Sequence, residues 1–132
     1  MEIGNTSDYR PLILVAEDDD SNFKLIKAII GKKCDIKWAT TGTDMVKLFQ
    51  ENRGKAAAML MDIKMPEMTG LEATEKIRME DKDIPIIMQT AYAFASDREA
   101  AMEAGASEVL VKPITLAALR KCLSHFLPDL KW

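Results

Sequence analysis

Short, almost uncharged apolar runs recur along the chain, each followed by a longer amphipathic segment. They are Leu12-Ile13-Leu14-Val15-Ala16, Ala57-Ala58-Met59-Leu60-Met61, Ile84-Pro85-Ile86-Ile87-Met88 and the shorter Val109-Leu110-Val111. Runs without polar alternation suit strands covered on both faces, as in parallel sheets. Ala57 and Ala58 are poor strand formers, so the second run rests on its position and length. A more polar stretch, Ile36-Lys37-Trp38-Ala39, reads as an edge strand. The intervening segments follow a helical period. Phe23, Ile26, Ile29 and Ile30 share one face, as do Met45, Leu48 and Phe49. Leu71, Thr74, Ile77 and Arg78 follow less cleanly, and Leu116, Leu119, Leu123, Phe126 and Leu127 form the last stripe. Thr69-Gly70-Leu71-Glu72 and Ser96-Asp97-Arg98-Glu99 fit the capping box, and Gly105 stands where a helix end needs a left-handed residue. Five β-α repeats predict an α/β, doubly wound parallel sheet with helices on both faces.

At 132 residues the chain is the size of one ordinary domain. Its 48% hydrophobic and 30% charged residues mark a globular chain. A net charge of -3 argues against a dedicated nucleic-acid binder. No apolar run approaches a membrane span, and the polar, acidic start from Met1 to Asp8 does not resemble a secretory signal. A cytoplasmic location is expected. Cys34 and Cys122 lie far apart, with no C-x-x-C pair. They read as small buried hydrophobes rather than a disulfide or zinc site.

In an open parallel sheet, ligands bind beyond the carboxyl ends of the strands. The first strand runs into Glu17-Asp18-Asp19-Asp20. Helix capping accounts for Asp20 and extends to Asp19. It accounts less well for Glu17 and Asp18, which precede the helix. A hard divalent cation would offset their repulsion. The third strand ends at Asp62, the fourth at Thr90 and the fifth at Lys112-Pro113, a bond that is either cis or trans. Each has a bland reading: turn residue, structural threonine, solvent-facing lysine. Together they supply a carboxylate nucleophile, two further acids for a cation, and a hydroxyl and an ammonium for phosphoryl oxygens. Phosphoryl transfer needs little more.

These residues resemble the receiver domain of two-component response regulators, across nearly all of 11–128. The matching pieces are Leu12-Ile13-Leu14-Val15-Ala16-Glu17-Asp18, Met61-Asp62-Ile63-Lys64-Met65-Pro66 with Gly70, Thr90-Ala91 and Lys112-Pro113. The resemblance implies a flavodoxin-like (CheY-like) five-stranded sheet of order 2-1-3-4-5. It implies that Asp62 is the phosphoacceptor, served by a histidine kinase or histidine phosphotransfer domain. Mg²⁺ would be bound by Glu17, Asp18, Asp62 and the backbone carbonyl of Lys64. Thr90 and Lys112 would bind the phosphoryl group and drive the switch. The Glu17-Asp18 start and the stretch from Pro85 to Ala93 look most like the C-terminal receiver of a hybrid sensor histidine kinase. Residues 1–10 then read as a linker or lead-in, 11–128 as the domain and 129–132 as a tail. A stand-alone response regulator and a phosphorylation-independent docking module are the alternatives. Receivers often dimerise on phosphorylation, so a homodimer is a further expectation, while contact with nucleic acid or membrane is not.

Two departures stand out. Val109 occupies the position where the family usually carries Tyr or Phe, so the usual Thr–aromatic switch cannot operate in that form. Lys64 and Tyr92 occupy positions that tune autodephosphorylation in the family. A bulky Tyr92 is expected to shield the acyl phosphate and slow its hydrolysis. A haloacid-dehalogenase-type phosphatase would want an aspartate where Lys64 stands. A flavodoxin-type FMN binder would want Ser, Thr and Gly where the acidic run stands. The chain reads as a switch that assists its own phosphorylation, not as an enzyme with a separate substrate. Lone His125 reads as a surface residue, Trp38 and Trp132 as packing residues, and Met59, Met61 and Met88 as core filler. Met65 and Met68, beside Asp62, are expected to be partly exposed.

Overall fold

The computed structural model describes residues 9–91 and 94–132. Five strands, β1 (Leu12–Ala16), β2 (Asp35–Ala39), β3 (Ala56–Asp62), β4 (Ile86–Thr90) and β5 (Glu108–Val111), alternate with five helices. The helices are α1 (Asp20–Ile30), α2 (Gly42–Glu51), α3 (Gly70–Arg78), α4 (Ala95–Ala104) and α5 (Leu116–Phe126). All strand pairs are parallel, in the order β2-β1-β3-β4-β5. The polar Ile36 stretch is indeed at an edge.

The apolar runs are covered on both faces because side chains alternate along a strand. Ile13, Val15, Leu60 and Ile87 meet Ile26, Ile29 and Ile30 of α1 and Leu119, Cys122 and Leu123 of α5. Leu14, Met59, Met61 and Met88 meet Met45 and Phe49 of α2, Ala73 and Ile77 of α3 and Ala101 of α4. Each large side chain buried in this way stabilises the fold by about 1.5–3 kcal/mol.

Local signals hold at most helix starts. Asp19 caps α1, accepting from the Ser21 N–H at 2.9 Å. Thr69 and Glu72 form the expected capping box on α3. At α4 the expectation is corrected. The helix starts earlier, with Phe94 at the cap position, so Ser96-Asp97-Arg98-Glu99 lies within the helix and is not its capping box. Gly105 does end α4, at a left-handed φ of 115°. Its missing Cβ also makes room for Arg78, whose Nε donates to the Gly105 carbonyl at 2.8 Å. Leu116 is a second correction: it opens α5 at 50% exposure, off the apolar stripe. Met65 is a third, being buried in the face that holds α2 and α3.

Packing continues beyond 11–128 at both ends. Arg10 donates to the carbonyls of Gly31, Lys32 and Cys34 and pairs with Asp35 at 2.9 Å, satisfying carbonyls left open after α1. Leu130 is buried, and Trp132 donates to Ser124 Oγ at 2.9 Å with the Arg120 guanidinium over its ring. Phe23 stacks on Trp38 with ring centroids 3.9 Å apart. No helix among the described residues is long and apolar enough to cross a membrane.

Both cysteines are free and buried. Burial pushes each thiol up to about 11, helped at Cys122 by the Glu108 charge and resisted at Cys34 by Arg10. Folding thus favours the protonated thiols. The stability they confer is complete below the ordinary thiol range and lost as pH rises through about 11. The expected result with a disulfide thiol reagent at pH 8 is negligible labelling of the native protein and labelling of both cysteines in denaturant. Rapid labelling of the native protein would contradict this placement.

Candidate functional site

Because every strand is parallel, the residues that follow β1, β3, β4 and β5 meet at one end of the sheet. Glu17 follows β1 directly, and its backbone is fixed twice. Its N–H donates to the Ala39 carbonyl at 2.9 Å, and its carbonyl accepts from Trp38 Nε1 at 2.7 Å. Asp62 is the last residue of β3, in register with Gln89 of β4. Carboxylate oxygens of Glu17, Asp18 and Asp62 all lie within 4.8 Å of one another. Glu17 and Asp62 are buried, whereas Asp18 is exposed.

The chain's own cation sits on this cluster. Lys112 Nζ donates to Asp62 Oδ2 at 2.8 Å and lies 3.3 Å from Glu17 Oε1. The peptide bond between Lys112 and Pro113 is cis, and the Lys112 N–H donates to the Thr90 carbonyl at 2.7 Å. Burial alone would lower the Lys112 pKa. The hydrogen bond and charge of Asp62, with the charge of Glu17, outweigh it and raise the pKa above the ordinary lysine value. Glu17 is pushed above the usual carboxylate value, chiefly by burial and with help from the Asp62 charge. Hydrogen bonds from Asn22 and the Asp19 N–H, and the Lys112 charge, act the other way.

The loop after β3 wraps over Asp62. The Lys64 N–H donates to Asp62 Oδ1 at 3.2 Å, and the Gly70 N–H returns to the Ile63 carbonyl at 2.8 Å. Gly70 is required by close approach: a Cβ there would lie 2.0 Å from the Asp62 carbonyl oxygen. The Lys64 residue is exposed. Thr90 is buried at the end of β4. Val109 is buried in register with Met88, where its aliphatic side chain joins the core on the α2–α3–α4 face. Tyr92 lies outside the described residues.

Two site residues were missed by sequence reasoning. Asn22, on the first turn of α1, donates its amide to Glu17 Oε1 and to Gln89 Oε1, the latter at 3.1 Å. Gln89, on β4, is fully buried. A signal for it existed: a glutamine inside an otherwise apolar strand needs a polar partner.

Chemically, three converging carboxylates offer only hard oxygen donors, the donor set of Mg²⁺ or Ca²⁺ rather than of a soft metal. Asp62 stands among them as a carboxylate with one oxygen held by an ammonium.

Residues 13–124 match the family model of the response regulator receiver domain, and the chain belongs to that family. It is 38% identical over 122 residues to hybrid signal transduction histidine kinase I of Dictyostelium discoideum, a match covering 86% of this chain and 7% of the kinase. The chain thus spans a small part of that relative. Among solved structures it is similar to the receiver domain of the sensor histidine kinase PA1611 from Pseudomonas aeruginosa, crystallised with a magnesium ion in the active-site cleft. That match has a TM-score of 0.81 and 30% identity and covers 91% of this chain and 99% of the other. It is also similar to the yeast Ssk1 receiver domain, co-crystallised with the histidine phosphotransfer protein Ypd1. That match has a TM-score of 0.82 and 25% identity, covering 89% and 88% of the two chains. This chain is accordingly a receiver domain of two-component phosphorelay signalling, with relatives in hybrid kinases.

Proposed function

We propose that Asp62 accepts a phosphoryl group from the phosphohistidine of a histidine kinase or histidine phosphotransfer domain. The observation that carries this reading is the position of Asp62: buried at a strand end, within 4.8 Å of two further carboxylates and 2.8 Å from the Lys112 ammonium. A carboxylate oxygen of Asp62 attacks phosphorus as the P–N bond to the donor imidazole breaks. The bonding pair leaves with the imidazole nitrogen, and a mixed anhydride forms on Asp62. Glu17, Asp18, Asp62 and the Lys64 carbonyl would hold Mg²⁺, which would supply charge neutralisation of the phosphoryl oxygens. Lys112 then leaves its carboxylate partner for a phosphoryl oxygen, because the phosphoryl group carries the greater charge. The Thr90 hydroxyl turns to the same group. Both movements bias the segments after β4 and β5, which is how a local charge event alters a surface. Val109 requires that this output run without the family's ring, and Lys64 and Tyr92 set the lifetime of the acyl phosphate. The PA1611 and hybrid-kinase relatives favour a host that is a hybrid sensor histidine kinase, with 11–128 as its receiver.

The test is intact-protein mass after incubation with acetyl phosphate, with and without Mg²⁺. The expected result is a gain of one phosphoryl group that requires Mg²⁺ and disappears in Asp62→Asn. Labelling that survives in Asp62→Asn would place the acceptor elsewhere.

A further inference from the structure

The Glu17 carboxylate is held by more than its neighbours in the acidic cluster. Its Oε2 accepts from the Asp19 N–H at 3.1 Å. Its Oε1 accepts from Asn22 Nδ2, which also donates to Gln89 Oε1 at 3.1 Å. The sense of this chain is forced. An ionised carboxylate only accepts, so Asn22 must turn its NH₂ toward Glu17. The second amide proton of that NH₂ then goes to the Gln89 oxygen. The Gln89 NH₂ is left facing away, and among the described residues it has no hydrogen-bond partner although Gln89 is fully buried. A buried donor without a partner costs stability. An apolar residue would suit an Ile86–Thr90 strand better on packing grounds. Gln89 therefore has a use other than stability, and the one hydrogen bond its side chain makes among the described residues identifies that use: it anchors Asn22.

We propose that Gln89 and Asn22 are positioning residues for Glu17, a relay from β4 through α1 that holds the Glu17 carboxylate in place for a divalent cation. The proposal rests on the reading of Glu17, Asp18 and Asp62 as a Mg²⁺ site. Glu17 follows the end of β1, so its side chain is not fixed by sheet pairing. The relay supplies that constraint from the neighbouring strand and helix. Outer partners of metal-binding carboxylates act in this way, and their removal typically weakens metal binding roughly 10–100-fold. Gln89 acts only through Asn22, so the two residues must not contribute independently.

The experiment is calorimetric titration of the whole chain with MgCl₂, alongside thermal melts without Mg²⁺, for wild type, Asn22→Ala, Gln89→Met and the double variant. Asn22→Ala is expected to weaken Mg²⁺ binding roughly tenfold. Gln89→Met is expected to weaken it several-fold while keeping or raising Tm, since the orphaned amide is gone. The double variant is expected to bind no more weakly than Asn22→Ala. A merely structural role predicts the opposite split, with Tm lowered and Mg²⁺ affinity unchanged. Wild-type affinity in Gln89→Met, or additive losses in the double variant, would overturn the relay while leaving the metal site standing. Gln89→Met decides the matter if Asn22→Ala does not fold. Failure of the wild type to bind Mg²⁺ at all would overturn the metal reading and the relay with it.

Discussion

Gly70→Ala is expected to lower Tm by roughly 7 °C and to abolish most Mg²⁺-dependent phosphorylation, an outsized effect for one methyl group. In an ordinary helical position the change from glycine to alanine would stabilise by about 1 kcal/mol. Here the new Cβ would lie 2.0 Å from the Asp62 carbonyl oxygen, 2.9 Å from its carbonyl carbon and 3.0 Å from Ile63 Cα. All three are backbone atoms, so no side chain can swing aside. Either α3 moves outward or the end of β3 moves, and overpacking of this kind costs about 3 kcal/mol, more than the propensity gain. The second half of the expectation follows from which backbone moves: it carries Asp62. Thermal melts and intact-mass labelling check both halves. A Tm within about 2 °C of wild type, with full labelling, would show that the loop after β3 is looser than the geometry requires.

Lys112→Ala is expected to destabilise the Mg²⁺-free protein while tightening Mg²⁺ binding. The ammonium lies 2.8 Å from Asp62 and 3.3 Å from Glu17, both buried carboxylates. Removing one partner of such a pair leaves uncompensated charge, at a cost on the order of 3 kcal/mol. The same ammonium repels an incoming dication. At an effective dielectric near 20, a unit charge about 4 Å away contributes roughly 4 kcal/mol per charge, and solvent around the exposed Asp18 reduces that. The expected signature is therefore a lower Tm without Mg²⁺, a larger rise in Tm on adding Mg²⁺, and a slower approach to full phosphorylation. Melts over a Mg²⁺ series separate these. A variant with wild-type Tm and unchanged Mg²⁺ response would mean that Lys112 does not engage the acidic cluster in solution.

Much of this was legible in the order of the residues. The strands were visible because both faces of a parallel sheet are covered, so the runs at Leu12, Ala57, Ile84 and Val109 lack polar alternation. The site was visible because parallel strands bring their carboxyl ends together, so Glu17, Asp62 and Lys112 could be read as neighbours across long separations. What escaped was decided by tertiary context. Ser96-Asp97-Arg98-Glu99 has the composition of a capping box, but the helix begins at Ala95, with Phe94 at the cap. Leu116 has the helical period, yet the first turn of α5 leaves it exposed. Met65 sits in a loop of polar and turn residues, but that loop folds back over the α2–α3 face and buries it. The Asn22–Gln89 bond joins residues 67 positions apart, and no local pattern announces it. Only the oddity of a glutamine in an apolar strand did so, and it points to a partner without naming one.

The central claim, that Asp62 forms the acyl phosphate, is tested most directly by trapping it. The protein is phosphorylated with acetyl phosphate and Mg²⁺, reduced with borohydride, digested and sequenced by mass spectrometry. Reduction of an aspartyl phosphate yields homoserine at the modified position. The expected result is that conversion at residue 62 alone, dependent on both Mg²⁺ and the phosphodonor. Conversion at Asp18 or elsewhere in the acidic run, with residue 62 unchanged, would contradict it.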